Sequence, residues 1–458
     1  MKSPLFFLAA LMLAAAPASA LEWHPLGARA VGMGGAGVAS TKGPLAAYWN
    51  PGALGRPSQN GLAIPLGVHA AVTGSVIEGA NNLKNLNERG TLPTQPEVDD
   101  ALNKFDQPGS GLRVDGGFGA DLKIGRFAFF LNGFTNIGAV PQVDRTATPG
   151  TIQNGTNNSK LIIKGANIAE LGAAYGRELP FAPGLHLGGA LKLMNAQVGH
   201  AEYFVLRNDN SQNDIVDKLK DGAAKSTSFG VDAGALWDLD RSFDGMTLKP
   251  RVGIVGRNLN NPKFDRPAAA AAAGLPGRFA VNPQVRMGVS ITPLSWWNLA
   301  ADLDLTRNLT PVDNAASRQF GLGSEFNVFN RSWLNIPLRV GLMRNTAETS
   351  AGNALTLGAG LNFLHVTLEA SAAVSGKRVT TESQGEERKM PREVAVGFQL
   401  SFLFGGSEEE PAAPKREWKA APPADAQPAS TETIRKAAER AQEDLEVEEL
   451  QRTPAATP

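Results

Sequence analysis

The spacing Gly32-x-Gly34-x-x-Gly37, inside VGMGGAGVA (31–39), is that of a loop able to cradle a dinucleotide pyrophosphate. That chemistry needs a strand before the glycines, a helix after them, and an acidic residue about 20 positions on for the ribose. The preceding LEWHPLGARAV is broken by Pro25 and Gly27, and after Gly37 no Asp or Glu occurs before Glu78. The nucleotide reading fails each requirement. The five histidines (24, 69, 186, 200 and 365) are scattered without metal-ligand spacing. His186, between Leu185 and Leu187, is placed to point inward. No G-x-S-x-G elbow is present, and DDALNKFDQP (99–108) lacks the pattern of a calcium loop. No catalytic residue, metal or cofactor is expected, and the chain does not read as an enzyme.

If the glycines do not hold a phosphate, something else requires them, and the surrounding elements say what. The chain has 458 residues, 50 of them glycine and none cysteine, which excludes disulfides, thiolate metal sites and a lipid-anchored cysteine. Lys and Arg together number 44, as do Asp and Glu, so net charge gives no hint of nucleic acid. Residues 1–20 carry a secretory pattern: Lys2, an apolar run from Leu5 to Ala16, and the small-residue site Ala18-Ser19-Ala20. That run is too short to span a bilayer as a helix, and no later stretch supplies about 20 uncharged apolar residues. The mature chain is therefore expected to start near Leu21.

From 61 to 404 one pattern recurs: long segments alternating apolar with small or polar residues, the period of strands. Leu62, Ile64, Leu66, Val68, Ala70 and Val72 share one face, as do Val394, Val396, Phe398, Leu400, Phe402 and Phe404. Fourteen strands are predicted, near 61–74, 111–124, 126–138, 160–177, 184–200, 226–240, 246–259, 278–293, 295–308, 317–329, 334–345, 353–364, 365–376 and 390–404. Connections after odd strands are mostly long and those after even strands short, the habit of bacterial outer-membrane barrels. Strands of soluble sandwiches average about five or six residues, far shorter than these. The predicted fold class is all-β, a transmembrane antiparallel β-barrel of about 14 strands with an N-terminal plug segment.

With the apolar faces toward lipid, the opposite faces bring Glu170, Lys192, Asp232, Asp238, Arg251, Arg257, Arg286, Asp302, Asp304 and Arg339 into the lumen. Their simplest role is to pair across the lumen. Trp237, Trp296, Trp297 and Trp333 fall near strand ends, where interfacial aromatic belts sit.

Residues 21–60 are too apolar for a free tail and too short for a domain. A fourteen-stranded barrel leaves a lumen, and Gly and Ala let a backbone lie close against its wall. The expected organisation is a signal (1–20), a plug (21–60), an outer-membrane barrel (61–404) and a periplasmic tail (405–458). Within the tail, 407–429 reads as a linker rich in Pro, Ala and Glu. From Ser430, Ile434, Ala438, Ala441 and Leu445 recur at helical spacing.

GARAVGMGGAGVASTKGPLAAYWNPGAL (27–54) resembles the opening of the FadL-like outer-membrane barrel superfamily, whose members place a Gly-rich stretch and an Asn-Pro motif before fourteen strands. GRNLNNPKFD (256–265) and WWNLAADLDLT (296–306) resemble the branch called conjugal transfer TraF-like outer-membrane proteins. The resemblance spans about 27–404. It implies a plug made of Gly32, Gly34, Gly35, Gly37, Asn50 and Pro51, and in the fatty-acid branch a lateral wall opening for a hydrophobic substrate. No substrate-binding residue carries over. The expected function is transport of a small hydrophobic molecule such as a long-chain fatty acid. The alternative is a non-transporting outer-membrane assembly component of a conjugation or secretion system. Expected partners are outer-membrane lipid, a hydrophobic ligand, and a periplasmic protein through 407–458, with no nucleic acid.

Overall fold

The computed structural model describes residues 22–405, except 208–216, 218, 244–245, 276, 313–314, 349–351 and 384–385. The signal expected at 1–20 and the tail beyond 405 lie outside the described residues.

Fourteen antiparallel strands close into one barrel, each pairing with its neighbours in chain order. They are β1 (Asn60–Thr73), β2 (Gly111–Ile124), β3 (Phe127–Gln142), β4 (Lys160–Leu179), β5 (Ala182–Phe204), β6 (Ala224–Asp238), β7 (Arg251–Arg257), β8 (Gln284–Leu294), β9 (Trp297–Asp304), β10 (Gln319–Asn330), β11 (Leu334–Asn345), β12 (Asn353–Phe363), β13 (Val366–Ser375) and β14 (Glu393–Phe404). The ladder from Asn60↔Phe404 to Ala71↔Glu393 shuts the ring between β1 and β14. Closure leaves no unpaired barrel edge, the condition for a sheet to cross a bilayer.

The predicted register holds. Ile64, Leu66 and Val68 are exposed on the outside, while Ala63, His69 and Ala71 between and beyond them are buried. The outer surface is an apolar band that includes Phe118, Leu191, Phe229, Leu357 and Phe398. Such a surface is at home in lipid, and the protein is a β-barrel of the bacterial outer membrane. Trp237, Trp296 and Trp333 stand exposed at the short-turn rim, and Trp297 stacks on Phe326 at 6.0 Å beside them.

The structure corrects several boundaries. The strand expected at 246–259 covers only 251–257, after Pro250, which has no N–H to donate. The strand expected at 278–293 begins at Gln284, because Arg278–Ala280 pairs instead with Lys263–Asp265. The strand expected at 295–308 ends at Asp304, because Asn308–Leu309 pairs with Ala316–Ser317.

The segment before β1 holds two short helices, α1 (Ala28–Gly32) and α2 (Ala46–Trp49). The first long connection, expected to be loop, contains α3 (Val76–Glu88) and α4 (Gln95–Phe105). Thr94 and Glu97 cap α4 reciprocally: the Thr94 N–H donates to Glu97 Oε2 at 2.7 Å. Leu83, Val98, Leu102 and Phe105 pack with Ile152 into a small core at the long-loop end. Phe264 and Phe279, from the hairpin at 263–280, pack on the inward residues Ile168, Met194 and Val198.

Candidate functional site

The lumen is filled by residues 22–57, nearly all of them buried. They touch inward-facing positions around most of the ring. A Cβ on Gly117 (β2) would meet His24, one on Gly188 (β5) would meet Pro51, one on Gly323 (β10) would meet Met33, and one on Gly397 (β14) would meet Ala28. Small residues on both surfaces permit this approach, which is what the glycine content of the chain serves.

The glycines of the opening motif are now explained. Gly37 and Val38 donate their N–H groups to Asp302 Oδ2 at 2.7 and 2.9 Å. The anion held by this glycine loop is therefore a carboxylate of the barrel itself. Gly34 sits at φ +70°, and a Cβ there would fall 2.5 Å from the Leu322 carbonyl oxygen. Its N–H donates to Thr356 Oγ1 at 3.1 Å, and that hydroxyl donates to the Gly32 carbonyl at 3.0 Å. Gly32 lies against Gly358, and a Cβ on Gly37 would overlap the Trp49 ring. Gly35, at φ +83°, donates its N–H to the Ala30 carbonyl at 2.7 Å, and a Cβ there would reach only Met343 Cε, at 4.0 Å.

Asn50 and Pro51 meet the opposite side of the ring. Asn50 Nδ2 donates to the carbonyls of Ala235 (2.9 Å) and Val38 (3.2 Å), and its Oδ1 accepts from the Gly52 N–H at 3.0 Å. Pro51 opens the 3₁₀ turn to Gly55, with its carbonyl pressed against Gly176 and Gly188. All six motif residues thus lie at contacts between the lumenal segment and the wall or within the segment's own packing.

All ten charged residues expected to face the lumen are buried there. Arg286 pairs with Asp304 at 2.6 Å, and Lys192 joins Glu170 and Asp232 at 3.2 and 3.0 Å. Asp238 holds Arg56 and Arg251 at 2.6 and 2.7 Å, with His186 Nε2 at 3.2 Å. The inward placement of His186 is correct. Arg257 lies 4.1 Å from the Tyr48 ring centre and Arg286 lies 4.7 Å from that of Trp23, so wall cations rest on aromatic faces of the lumenal segment. Sequence reasoning missed Glu325, Glu369 and Arg29. The alternation that exposes Leu322 and Leu368 points Glu325 and Glu369 inward, so the signal was present.

Those three residues border an open space. Arg29 grips Glu325 with two bonds of 2.9 and 3.0 Å, and Arg339 bridges Glu325 and Glu369 at 2.6 Å each. Around this chain lies a cavity of about 590 Å³ at the short-turn end, between the lumenal segment and the wall. Its other lining residues include Trp49, Ser58, Asn335, Asn362 and Gln399. Outside the same wall lies a groove of about 620 Å³ lined by Ile64, Leu66, Leu361, Leu368, Phe398 and Leu400.

Glu369 and Gln399 line both spaces. The wall is locally irregular there. Pro337 sits inside β11 without an N–H, the β11–β12 ladder passes from Asn335↔Asn362 to Leu338↔Ala359 without pairs between, and β10 is bulged between Asn327 and Phe329. Gly360, beside this break in the ladder, packs against Pro337: a Cβ there would lie 2.9 Å from Pro337 Cγ.

The profile of the family described as "F plasmid transfer operon, TraF, protein" matches residues 49–304. No curated protein matches this chain. Among solved structures, the P. putida toluene transporter TodX aligns with a TM-score of 0.47 and 14% identity, over 83% of this chain and 99% of that one. The Ralstonia pickettii toluene transporter TbuX gives 0.44 and 14%, over 83% and 98%. A Pseudomonas aeruginosa FadL homologue gives 0.44 and 12%, over 85% and 98%.

Proposed function

The chain belongs to the family described as F plasmid transfer operon TraF protein, and from that premise we propose an outer-membrane transporter that passes a small, largely hydrophobic molecule through the barrel wall. The observation that carries this reading is the pair of spaces, one inside the barrel and one facing lipid, that share Glu369 and Gln399 in their lining. In this reading, residues 21–60 are a plug that blocks the axial route. Asp302, Asn50, Glu325 and the stacked arginines fasten it around the ring, which leaves the irregular wall as the way in or out. The molecule enters from the apolar groove, as a ligand already dissolved in the membrane would. A cavity of this volume suits a small-molecule ligand.

The test is solvent extraction and mass spectrometry of the protein purified from outer membranes, beside a Gly360→Leu variant that crowds this part of the wall against Pro337. The expected result is a stoichiometric hydrophobic molecule on the natural protein and its loss from the variant. A clean extract from both would overturn the reading.

A second reading, a non-transporting component of a conjugation apparatus, has the family description in its favour. It predicts stable protein partners that are lost when 407–458 is deleted.

A further inference from the structure

Residues 22–57 meet every strand of the barrel, and their contacts follow the ring in order. His24 lies against Gly117 of β2 and Gly67 of β1, Ala28 lies against Gly397 of β14, and Val31 packs with Ala373 of β13. Gly32 meets Gly358 of β12, Gly34 meets the Leu342 backbone of β11, and the Gly34 carbonyl lies against Gly321 of β10. Gly37 donates to Asp302 of β9, and Val38 lies against Gly288 of β8 and Gly253 of β7. After α2, whose Tyr48 stacks on Phe134 of β3 at 5.8 Å, Asn50 donates to Ala235 of β6. Pro51 then presses on Gly188 of β5 and Gly176 of β4. The backbone thus makes one circuit of the inner wall, running against the order of the strands.

Two features of the wall give this circuit a task. The wall positions it touches are glycine on most strands. Glycine weakens a strand and leaves its register weakly specified, so these strands gain from an inner surface that fits them. The second feature is the seam. The β1–β14 ladder joins the two ends of the barrel sequence, the kind of long-range pairing that forms slowest. The segment spans that seam from inside, with His24 against β1, Ala28 against β14, and Gly27 between them at φ +95° beside Gln399. Its last part, at 50–55, directly precedes β1 and takes β4 to β6. Strands added in chain order from β4 to β14 therefore meet the segment from residue 55 back to residue 28, and its first residues reach the seam last.

We infer that residues 22–57 are an internal template for barrel closure: the strands are laid against the segment in turn, and its first residues bring β14 to β1. This role goes beyond the transport reading and holds whether or not a molecule crosses the wall.

The experiment follows closure during refolding of the full-length protein from urea into detergent micelles. The chain has no cysteine of its own, so paired cysteines report without background. Leu66→Cys with Phe398→Cys faces across the seam, and Leu193→Cys with Phe229→Cys faces across β5–β6 as the control; all four side chains are exposed on the outer surface. Pulses of dibromobimane, which fluoresces on bridging two thiols, read each pairing against time. With Asp302→Ala, which loosens the segment at β9 far from the seam, seam bridging is expected to slow by about tenfold and reach the same final extent, while the control pair keeps its rate. Seam bridging within about threefold of the rate without Asp302→Ala would overturn the inference, and so would equal slowing of both pairs, which is general destabilisation. A second measurement, without Asp302→Ala, decides the matter even if that variant fails to fold. Pulsed hydrogen exchange on the seam-reporter chain is expected to show protection across 29–42 before seam bridging is complete. Protection that arises only after the seam has closed would overturn the inference.

Discussion

Asp302→Ala should release the glycine loop from the wall while leaving the barrel closed. Asp302 is on β9, and its Oδ2 accepts from two successive N–H groups, those of Gly37 and Val38, at 2.7 and 2.9 Å. Both donors are buried. Hydrogen bonds to a charged group contribute about 1.5–3 kcal/mol each, so removing both bonds costs the loop about 3–6 kcal/mol. At about 1.4 kcal/mol per factor of ten, amide protection at Gly37 and Val38 should fall by about 10²–10⁴, limited by whichever opening already dominates exchange. The β9 backbone pairs with β8 and β10 through main-chain groups that the substitution does not touch. Hydrogen–deuterium exchange on the purified protein in detergent, followed by peptides across 29–42 and 297–304, separates the two. Asp302→Asn keeps an acceptor and should give a much smaller change. Protection across 37–41 that changes less than about threefold in the Ala variant would refute the claim that this carboxylate holds the loop.

Other outcomes follow from the same contacts. Gly34→Ala places a methyl 2.5 Å from a main-chain oxygen at φ +70°, whereas Gly35→Ala at φ +83° meets only Met343 Cε, at an ordinary 4.0 Å. The first should sharply lower the yield of folded barrel, and the second should cost only about 1–2 kcal/mol of backbone strain, read by thermal melting. Asn50→Ala removes three hydrogen bonds between the segment and the wall or within the segment, and should raise exchange at 50–56 by about tenfold or more. The Glu97 carboxyl is held down to about 2 by its bonds to Arg89 and then to Thr94. Its contribution to the α4 cap is therefore complete above the ordinary carboxylate range and is lost progressively as pH falls from there through about 2. Protection at the start of α4, corrected for the intrinsic exchange rate at each pH, should decline as pH falls below the ordinary carboxylate range, and Glu97→Gln should lower it at neutral pH.

The barrel was legible because lipid outside and a packed lumen inside force a strict two-residue alternation on every strand. That rule placed ten lumenal charges correctly from Glu170 to Arg339 and fixed the register of β1 and β14. It failed where the chain leaves the bilayer and the constraint lapses. The helices α3 and α4 have apolar residues too sparse to stand out from a polar loop, and they become visible only when Leu83 and Phe105 find Ile152. The segments 263–265 and 278–280 are strand-like in sequence but pair with each other and pack on the inward residues Ile168 and Met194 instead of extending β8.

The glycine motif resembles a phosphate loop for a physical reason. A run of free N–H groups binds any anion, and here the anion comes from β9. The wall gap did have a sequence signal in Pro337, a proline inside a strand. The cavity behind it had none, because it depends on how Arg29 from the lumenal segment meets Glu325 and Arg339 across the fold.

The most direct measurement is photolabelling of the protein in lipid vesicles by a long-chain alcohol carrying a diazirine, with labelled peptides read by mass spectrometry. The account predicts label on the inner residues Asn362 and Gln399 and on the outer residues Leu361 and Phe398, concentrated between β10 and β14 and lost in Gly360→Leu. Label spread evenly around the outer band, with none on lumenal residues, would contradict it.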